Sequence, residues 1–198
     1  MPNPRRLKST LLLAAVVVDA FVLASWTQTW LTVGLGAEAG HKGEIVVVGS
    51  IAAPALSALA LAGLALVAAL AIAGPVFRVV LGSLQAVIGA CVAYSAFAAL
   101  VDPGAAAAAA ITQATGVAGS SSVDALVEHT TLTAWPIVTL VLGILLALVG
   151  IAIVVTFRAW PGPSKKYQTV QFADADADGE ADPVITWDGL SRGDDPTR

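Results

Sequence analysis

The run from Ile51 to Ala73 contains no charged residue, is built almost entirely of Ala, Leu, Val and Ile, and stops at Gly74-Pro75. Roughly 20 apolar residues at about 1.5 Å of rise each cover the hydrocarbon core of a bilayer, so this run predicts a membrane-crossing helix. Over the 198 residues, 57% hydrophobic content, only 12% charged residues and a mean hydropathy of +0.83 fit a membrane protein and argue against an ordinary soluble domain. The net charge of −4 and the isoelectric point near 4.9 mislead as global values, because the charges gather at the two ends and in the loops. No basic, aromatic-laced patch of the kind that binds nucleic acid occurs. The single cysteine, Cys91, lies inside an apolar run. It excludes an intramolecular disulfide and a cysteine-based metal cluster, and it is expected to be a small buried side chain.

Arg5, Arg6 and Lys8 precede a strongly apolar block, Leu11 to Val18. That pairing reads either as a cleavable signal peptide, with Val22-Leu23-Ala24 at the cleavage position, or as a retained helix over about residues 9–30. Asp19 inside the apolar block, and Trp26 and Trp30 at a membrane interface, favour the retained helix. Residues 31–48 carry Gly34, Gly36, Gly40 and Gly43 among Glu38, His41, Lys42 and Glu44, and read as a polar loop of turns. A second span is predicted over about residues 50–73, with Pro54 near its start, where the missing N–H has no helical partner to lose. A third covers about residues 79–101 and stops at Asp102-Pro103-Gly104; a fourth covers about 134–157, from Trp135-Pro136 to Arg158. Between them the six alanines Ala105 to Ala110 favour a short helix by propensity. Residues 158–198 form a polar tail with an acidic patch, which cannot bury a core of its own and is expected to be disordered in isolation.

The expected architecture is therefore an all-α integral membrane protein. It has a cytoplasmic N-terminus over residues 1–8, an antiparallel four-helix transmembrane bundle within residues 9–157, and a cytoplasmic tail over 158–198. Nine of the ten Lys and Arg residues fall on the side of the two termini, and only Lys42 falls on the other. The positive-inside bias then puts both termini of a plasma-membrane protein in the cytoplasm, with the loops around His41 and from Ala105 to Ser122 outside. Close approach of helices in lipid relies on small residues. Rows four apart offer it: Ala65, Ala69 and Ala73; Gly82, Ala86 and Ala90; Gly143, Ala147 and Ile151. In a sequence so rich in alanine, such rows also arise by chance.

Asp19 is the sharpest candidate for chemistry, because a carboxylate near mid-span costs roughly 2.5 to 3.5 kcal/mol on insertion scales and rarely faces lipid. On a continuous helix Trp26 and Trp30 fall within about 20° of its face, so a carboxylate and two indoles form one stripe, a polar site for an amine or a proton. The structural alternative is a bond from Asp19 to an indole N–H, to Gln85 or to a hydroxyl across the bundle, or a protonated structural carboxyl. Asp174-Ala-Asp-Ala-Asp-Gly179-Glu180 opens like a calcium-binding EF-hand loop, but the twelfth position, where a bidentate Glu belongs, is Ile185. It reads as a solvated acidic linker. His41 and His129, with Glu38, Glu44, Asp124 and Glu128, share the outer loops without a recognised ligand spacing, and no metal or cofactor is expected. No glycine-rich phosphate loop, nucleophile elbow or paired catalytic His and Ser supports an enzyme.

The closing stretch Trp187-Asp-Gly-Leu190-Ser-Arg192-Gly-Asp-Asp195-Pro196-Thr197 differs from the linker before it: a Trp and a Leu in a polar tail offer anchors for a partner or the membrane surface. It resembles the closing segment of the tryptophan-biosynthesis-associated membrane proteins of actinobacteria, in which an aromatic precedes a Leu-Ser-Arg-Gly-acidic-Asp-Pro-Thr string. Gly49-Ser50 through Pro54-Ala55-Leu56 is similar to that family's second span, and Trp135-Pro136 to its fourth-span entry. The resemblance implies a four-span membrane protein genomically linked to tryptophan synthesis, and it supplies no catalytic residues to carry over. With the bilayer as its surroundings, the chain is expected to be non-enzymatic and to dock a soluble cytoplasmic partner through Trp187, Leu190, Arg192, Asp195 and Pro196. The alternative is a small transporter or exporter subunit for tryptophan or a related aromatic metabolite, acting through Asp19, Trp26, Trp30 and Gln85. Four spans are few for a lone carrier, so this alternative needs a homo-oligomer.

Overall fold

The computed structural model describes residues 4–36 and 43–160. The chain runs through α1 (Pro4–Trp26), β1 (Thr29–Leu35), β2 (Glu44–Val48), a one-turn α2 (Gly49–Ala52), α3 (Leu56–Ile72), α4 (Pro75–Val101), α5 (Pro103–Thr115), α6 (Ser120–Leu126), β3 (Val127–Leu132) and α7 (Trp135–Thr156). A 3-10 turn at Phe157–Ala159 follows. Prolines set several starts: Pro75, Pro103 and Pro136 occupy the first turns of α4, α5 and α7, where a missing N–H costs no helical bond. Pro54 instead separates α2 from α3, so the second apolar run is two pieces rather than one helix over 50–73. Among the described residues three helices, α1, α4 and α7, are long and apolar enough to cross a membrane. The 17 residues of α3 rise about 25 Å, less than the roughly 30 Å of a hydrocarbon core.

The four long helices pack side by side, α1 against α3 and α7, and α4 against α3 and α7. The pairings run antiparallel. Asp19 meets Gly63 and Lys8 meets Ala71 between α1 and α3; Ser25 meets Thr139 between α1 and α7; Gly82 meets Ile153 and Gly89 meets Ala147 between α4 and α7. Buried positions alternate by three and four: Leu56, Ala60, Gly63, Val67 and Leu70 on α3; Gly82, Gln85, Gly89, Val92 and Ala96 on α4; Thr139, Gly143, Leu146, Gly150 and Ile153 on α7. A 3.5-residue repeat keeps one seam facing inward over many turns, whereas steps of four rotate about 40° off it each time. This corrects the rows expected from sequence, since Ala65, Ala90 and Ile151 lie on the outer surface. Small residues do make the closest approach, at Gly82, Gly89, Gly143 and Gly150; a methyl added to Gly150 would lie 2.7 Å from the Ala86 Cα on the facing helix. Cys91 also faces outward, not inward as its apolar setting suggested.

The expectation of an all-α protein is corrected by a three-stranded antiparallel sheet in the order β2-β1-β3. Leu31 pairs with Val47 and Val33 with Ile45 on one side of β1, and Thr32 pairs with Thr131 on the other. The first two strands occupy the stretch read as a loop of turns. Their sequences, Thr-Trp-Leu-Thr-Val-Gly-Leu and Glu-Ile-Val-Val-Val, are rich in β-branched and aromatic residues that fit a pleated surface better than a helix. Consequently α1 ends at Trp26 rather than near residue 30, closed by the Thr27 and Gln28 N–H groups donating to the Ala24 and Ser25 carbonyls. The alanine run does form a helix, α5, capped where Asp102 Oδ1 accepts from the Ala105 N–H at 2.9 Å. It covers the sheet, burying Ala107, Ala110 and Ile111 with Leu31, Val33 and Val47.

At the opposite end of the bundle, Lys8 Nζ donates to the Ala71 carbonyl at 2.8 Å and Arg78 Nε to the Ala73 carbonyl at 3.0 Å. Both cations thus serve the C-terminal end of α3, where the helix dipole is negative. They also lie over the buried Trp160 ring, 5.8 and 5.4 Å from its centroid. The contact ties α1, α3, α4 and the chain after α7 together at one level. The tail residues Trp187, Leu190, Arg192, Asp195 and Pro196, the acidic run from Asp174 to Glu180, and Glu38 and His41 lie outside the described residues.

Candidate functional site

An apolar bundle leaves few polar side chains available for chemistry. Buried among the described residues are Asp19, Ser25, Arg78, Gln85 and Thr139. Asp19 reaches the interior because α1 turns Ala15, Asp19, Val22 and Ser25 inward along one seam. Gln85 arrives from the seam of α4. α3 contributes a glycine: with no side chain at Gly63 its backbone lies against the carboxyl group, and a methyl there would fall 2.7 Å from Asp19 Oδ2. Gln85 Nε2 donates to Asp19 Oδ2 at 3.2 Å. Asp19 Oδ1 and Gln85 Oε1 are buried without a hydrogen-bond partner among the described residues. An unsatisfied buried group costs about 1–3 kcal/mol, and more when charged. Both are acceptors, so the pair lacks a donor.

Of the expected intramembrane residues, the structure brings Asp19 and Gln85 together, keeps Trp26 on α1 two turns beyond Asp19, and takes Trp30 off the helix. Trp26 closes α1, and its indole N–H is buried without a partner among the described residues. Trp30 lies on β1, fully buried, and donates to the Ser25 carbonyl at 3.0 Å. A single stripe of Asp19, Trp26 and Trp30 requires a helix through residue 30, and strand pairing from Thr29 ends it first. Gly49 makes room for the displaced indole, since a methyl there would lie 2.7 Å from Trp30 Nε1. Above the carboxyl, Ser25 and Thr139 share a hydroxyl hydrogen bond between α1 and α7. Sequence reasoning missed Gly63 and Thr139. A lone glycine inside a strongly helical apolar run is the signal that finds the first; the threonine carries none.

Outside the bundle, His129 of β3 lies across Gly34 of β1 toward Glu44 of β2, with Nε2 4.0 Å from Glu44 Oε1. Both side chains are more than half exposed, and such a pair contributes little. Among the described residues no group of three or more His, Cys, Asp or Glu is placed to hold a metal ion. A cavity of about 220 Å³ opens between α5 and α6, lined by Asp102, Ala108, Thr112 and Val123, and a groove of about 340 Å³ follows Val17, Phe21 and Ala24 on the outer face of α1. Neither is lined by Asp19 or Gln85.

No curated protein and no solved structure is significantly similar to the chain. The family described as tryptophan-associated transmembrane protein matches residues 11–197, from the first turns of α1 to the end of the tail. The match takes in α4, α7 and most of α1 and covers nearly the whole length, so the chain belongs to the tryptophan-associated transmembrane protein family.

Proposed function

We propose that the chain is a non-enzymatic, multi-pass plasma-membrane protein that docks a soluble enzyme of tryptophan synthesis through its C-terminal segment, with Trp187, Leu190, Arg192, Asp195 and Pro196 as the contacts. The observation that carries this reading is the extent of the family match. It continues to residue 197, so the closing segment belongs to the family together with the helices. A Trp and an Arg beside a Leu supply side chains of the kind that dominate binding energy at interfaces. Four crossings, the shortest by α3, leave both termini on one side, and Arg6, Lys8, Arg78 and Arg158 mark that side as cytoplasmic. The test is co-purification in mild detergent of the intact protein and of a version ending at Pro183. An enzyme of tryptophan synthesis recovered with the intact protein alone supports docking; identical companions in both preparations overturn it.

A second reading, a homo-oligomeric transporter or exporter subunit for tryptophan or a related aromatic metabolite, is favoured by the unsatisfied acceptors at Asp19 and Gln85. Tryptophan flux from proteoliposomes carrying Asp19→Asn then falls to background. Unchanged flux removes Asp19 from the mechanism.

A further inference from the structure

We propose that Asp19 and Gln85 form a proton-binding site, in which one proton on the Asp19 carboxyl, donated to the Gln85 side-chain carbonyl, closes a cyclic acid–amide pair inside the bundle. Donors and acceptors at the pair do not balance. Both side chains are fully buried, and one bond joins them, from Gln85 Nε2 to Asp19 Oδ2 at 3.2 Å. The other head of each group, Oδ1 of the acid and Oε1 of the amide, has no partner among the described residues. With the acid ionised, both of these atoms can only accept, and no rotation supplies the missing donor. A proton on Oδ1 converts one acceptor into a donor and satisfies both atoms at once. Exchanging the amide oxygen and nitrogen of Gln85 gives the same ring with the proton on Oδ2.

The surroundings point to a proton rather than a larger cation. The helices packed around Asp19 bring no charged group to it: α3 and α7 contain none, and α4 contains only Arg78. Arg78 stands seven residues before Gln85, about 10 Å along the axis, where its Nε is bonded to the Ala73 carbonyl. On α1 itself, the cations nearest to Asp19 in sequence are Lys8 and Arg6, and Lys8 is bonded at the far end of α3. An ionised carboxylate would stand here without a counter-charge, an arrangement that proteins avoid by neutralising the group. The space is also small. The α3 backbone at Gly63 lies so close that even a methyl would overlap both carboxyl oxygens, which leaves no room on that side for an ammonium group or a hydrated ion. Uptake is a balanced step: a hydronium ion gives its proton to the carboxylate, one O–H bond forms on Asp19, and one water molecule is left. No bond of the chain breaks. The site rests on neither the docking nor the transport reading.

The test is infrared spectroscopy of the purified full-length protein in lipid at neutral pH, with Asp19→Asn and Gln85→Leu alongside. The expected result is a protonated-carboxyl C=O band that is lost completely in Asp19→Asn and moves to higher frequency in Gln85→Leu, where its hydrogen-bond partner is gone. A carboxylate band in place of the acid band in the intact-minus-Asp19→Asn difference overturns the proposal. Should either variant fail to fold, the intact protein labelled with carbon-13 at the aspartate side-chain carboxyls answers the same question. One isotope-shifted acid band persisting at neutral pH, unchanged by added sodium, supports the site; its absence, or its conversion to carboxylate by sodium, overturns it.

Discussion

Replacing Gly89 by alanine probes the contact between α4 and α7 where it is tightest. The added methyl would lie 2.8 Å from the Ala147 Cα and 2.8 Å from the Gly143 carbonyl oxygen. Relaxed non-bonded atoms stand about 3.5–4.0 Å apart, so the two helices must part by roughly 1 Å. The atoms in the way are backbone, and no rotamer relieves the overlap. A gap of that size forfeits a quarter to a half of the attraction at each neighbouring contact along the seam. Because the overlap is with backbone, the upper part of the overpacking range applies, about 2–3 kcal/mol; the better helix propensity of alanine returns about 1 kcal/mol, which leaves a net loss of about 1–2 kcal/mol. In lipid no hydrophobic term between helices offsets it. The assay is reversible unfolding in mixed micelles by titration with sodium dodecyl sulfate, followed by circular dichroism. The next residue provides the control: Ala90 faces outward, and Ala90→Leu should change stability by less than about 0.5 kcal/mol. Equal effects at the two positions, or none at Gly89, would refute the 3.5-residue seam.

Trp160→Ala removes a buried ring that Lys8 and Arg78 both face, and should cost about 3 kcal/mol from lost packing, with up to about 1 kcal/mol more for each cation. In the same titration, Lys8→Ala should cost less in the Trp160→Ala background than in the intact protein, since the two share one contact. Asp102→Ala removes the N-cap of α5 and should loosen that helix by about 1 kcal/mol, seen as faster amide exchange from Ala105 to Thr115 with the membrane helices unchanged. Asp102→Asn should keep most of the protection.

The membrane helices were legible because their signal is long and redundant: mostly apolar runs of more than 20 residues without a charge, Val79 to Val101 and Trp135 to Phe157, tolerate no competing reading. The sheet was not. Its strands are five to seven residues long, too short for periodicity to separate a strand from a buried helical turn, and β1 follows α1 with only Thr27 and Gln28 between them. The β-branched runs on either side of the glycine-rich stretch at residues 34–43 were the available hairpin signal. β3, Val-Glu-His-Thr-Thr-Leu, is a mostly exposed edge strand and shows no apolar face at all. The packing rows went astray for a geometric reason: small residues four apart drift around the helix, while the real seam steps by four and three.

The pairing of Asp19 with Gln85 was within reach of the sequence, because a carboxylate inside an apolar helix has to face another helix and polar residues there are few. The place of Trp30 was out of reach, since it depends on where α1 yields to β1, and the pairing of Thr29 with Val48 and of Leu31 with Val47 decides that. The tight fit at Gly63 was also hidden, because what it accommodates stands on a different helix.

The docking account requires both termini in the cytoplasm, and therefore requires α3 to cross the bilayer despite its length. Labelling single cysteines with a membrane-impermeant maleimide tests this most directly. Cys91 is first replaced by serine, and a cysteine is then placed either at Thr130, on β3, or at Tyr167, in the tail. The expected result is labelling at residue 130 in intact cells, and at residue 167 only after the membrane is permeabilised. Labelling at residue 167 in intact cells would place the tail outside, and no cytoplasmic enzyme could then dock on it.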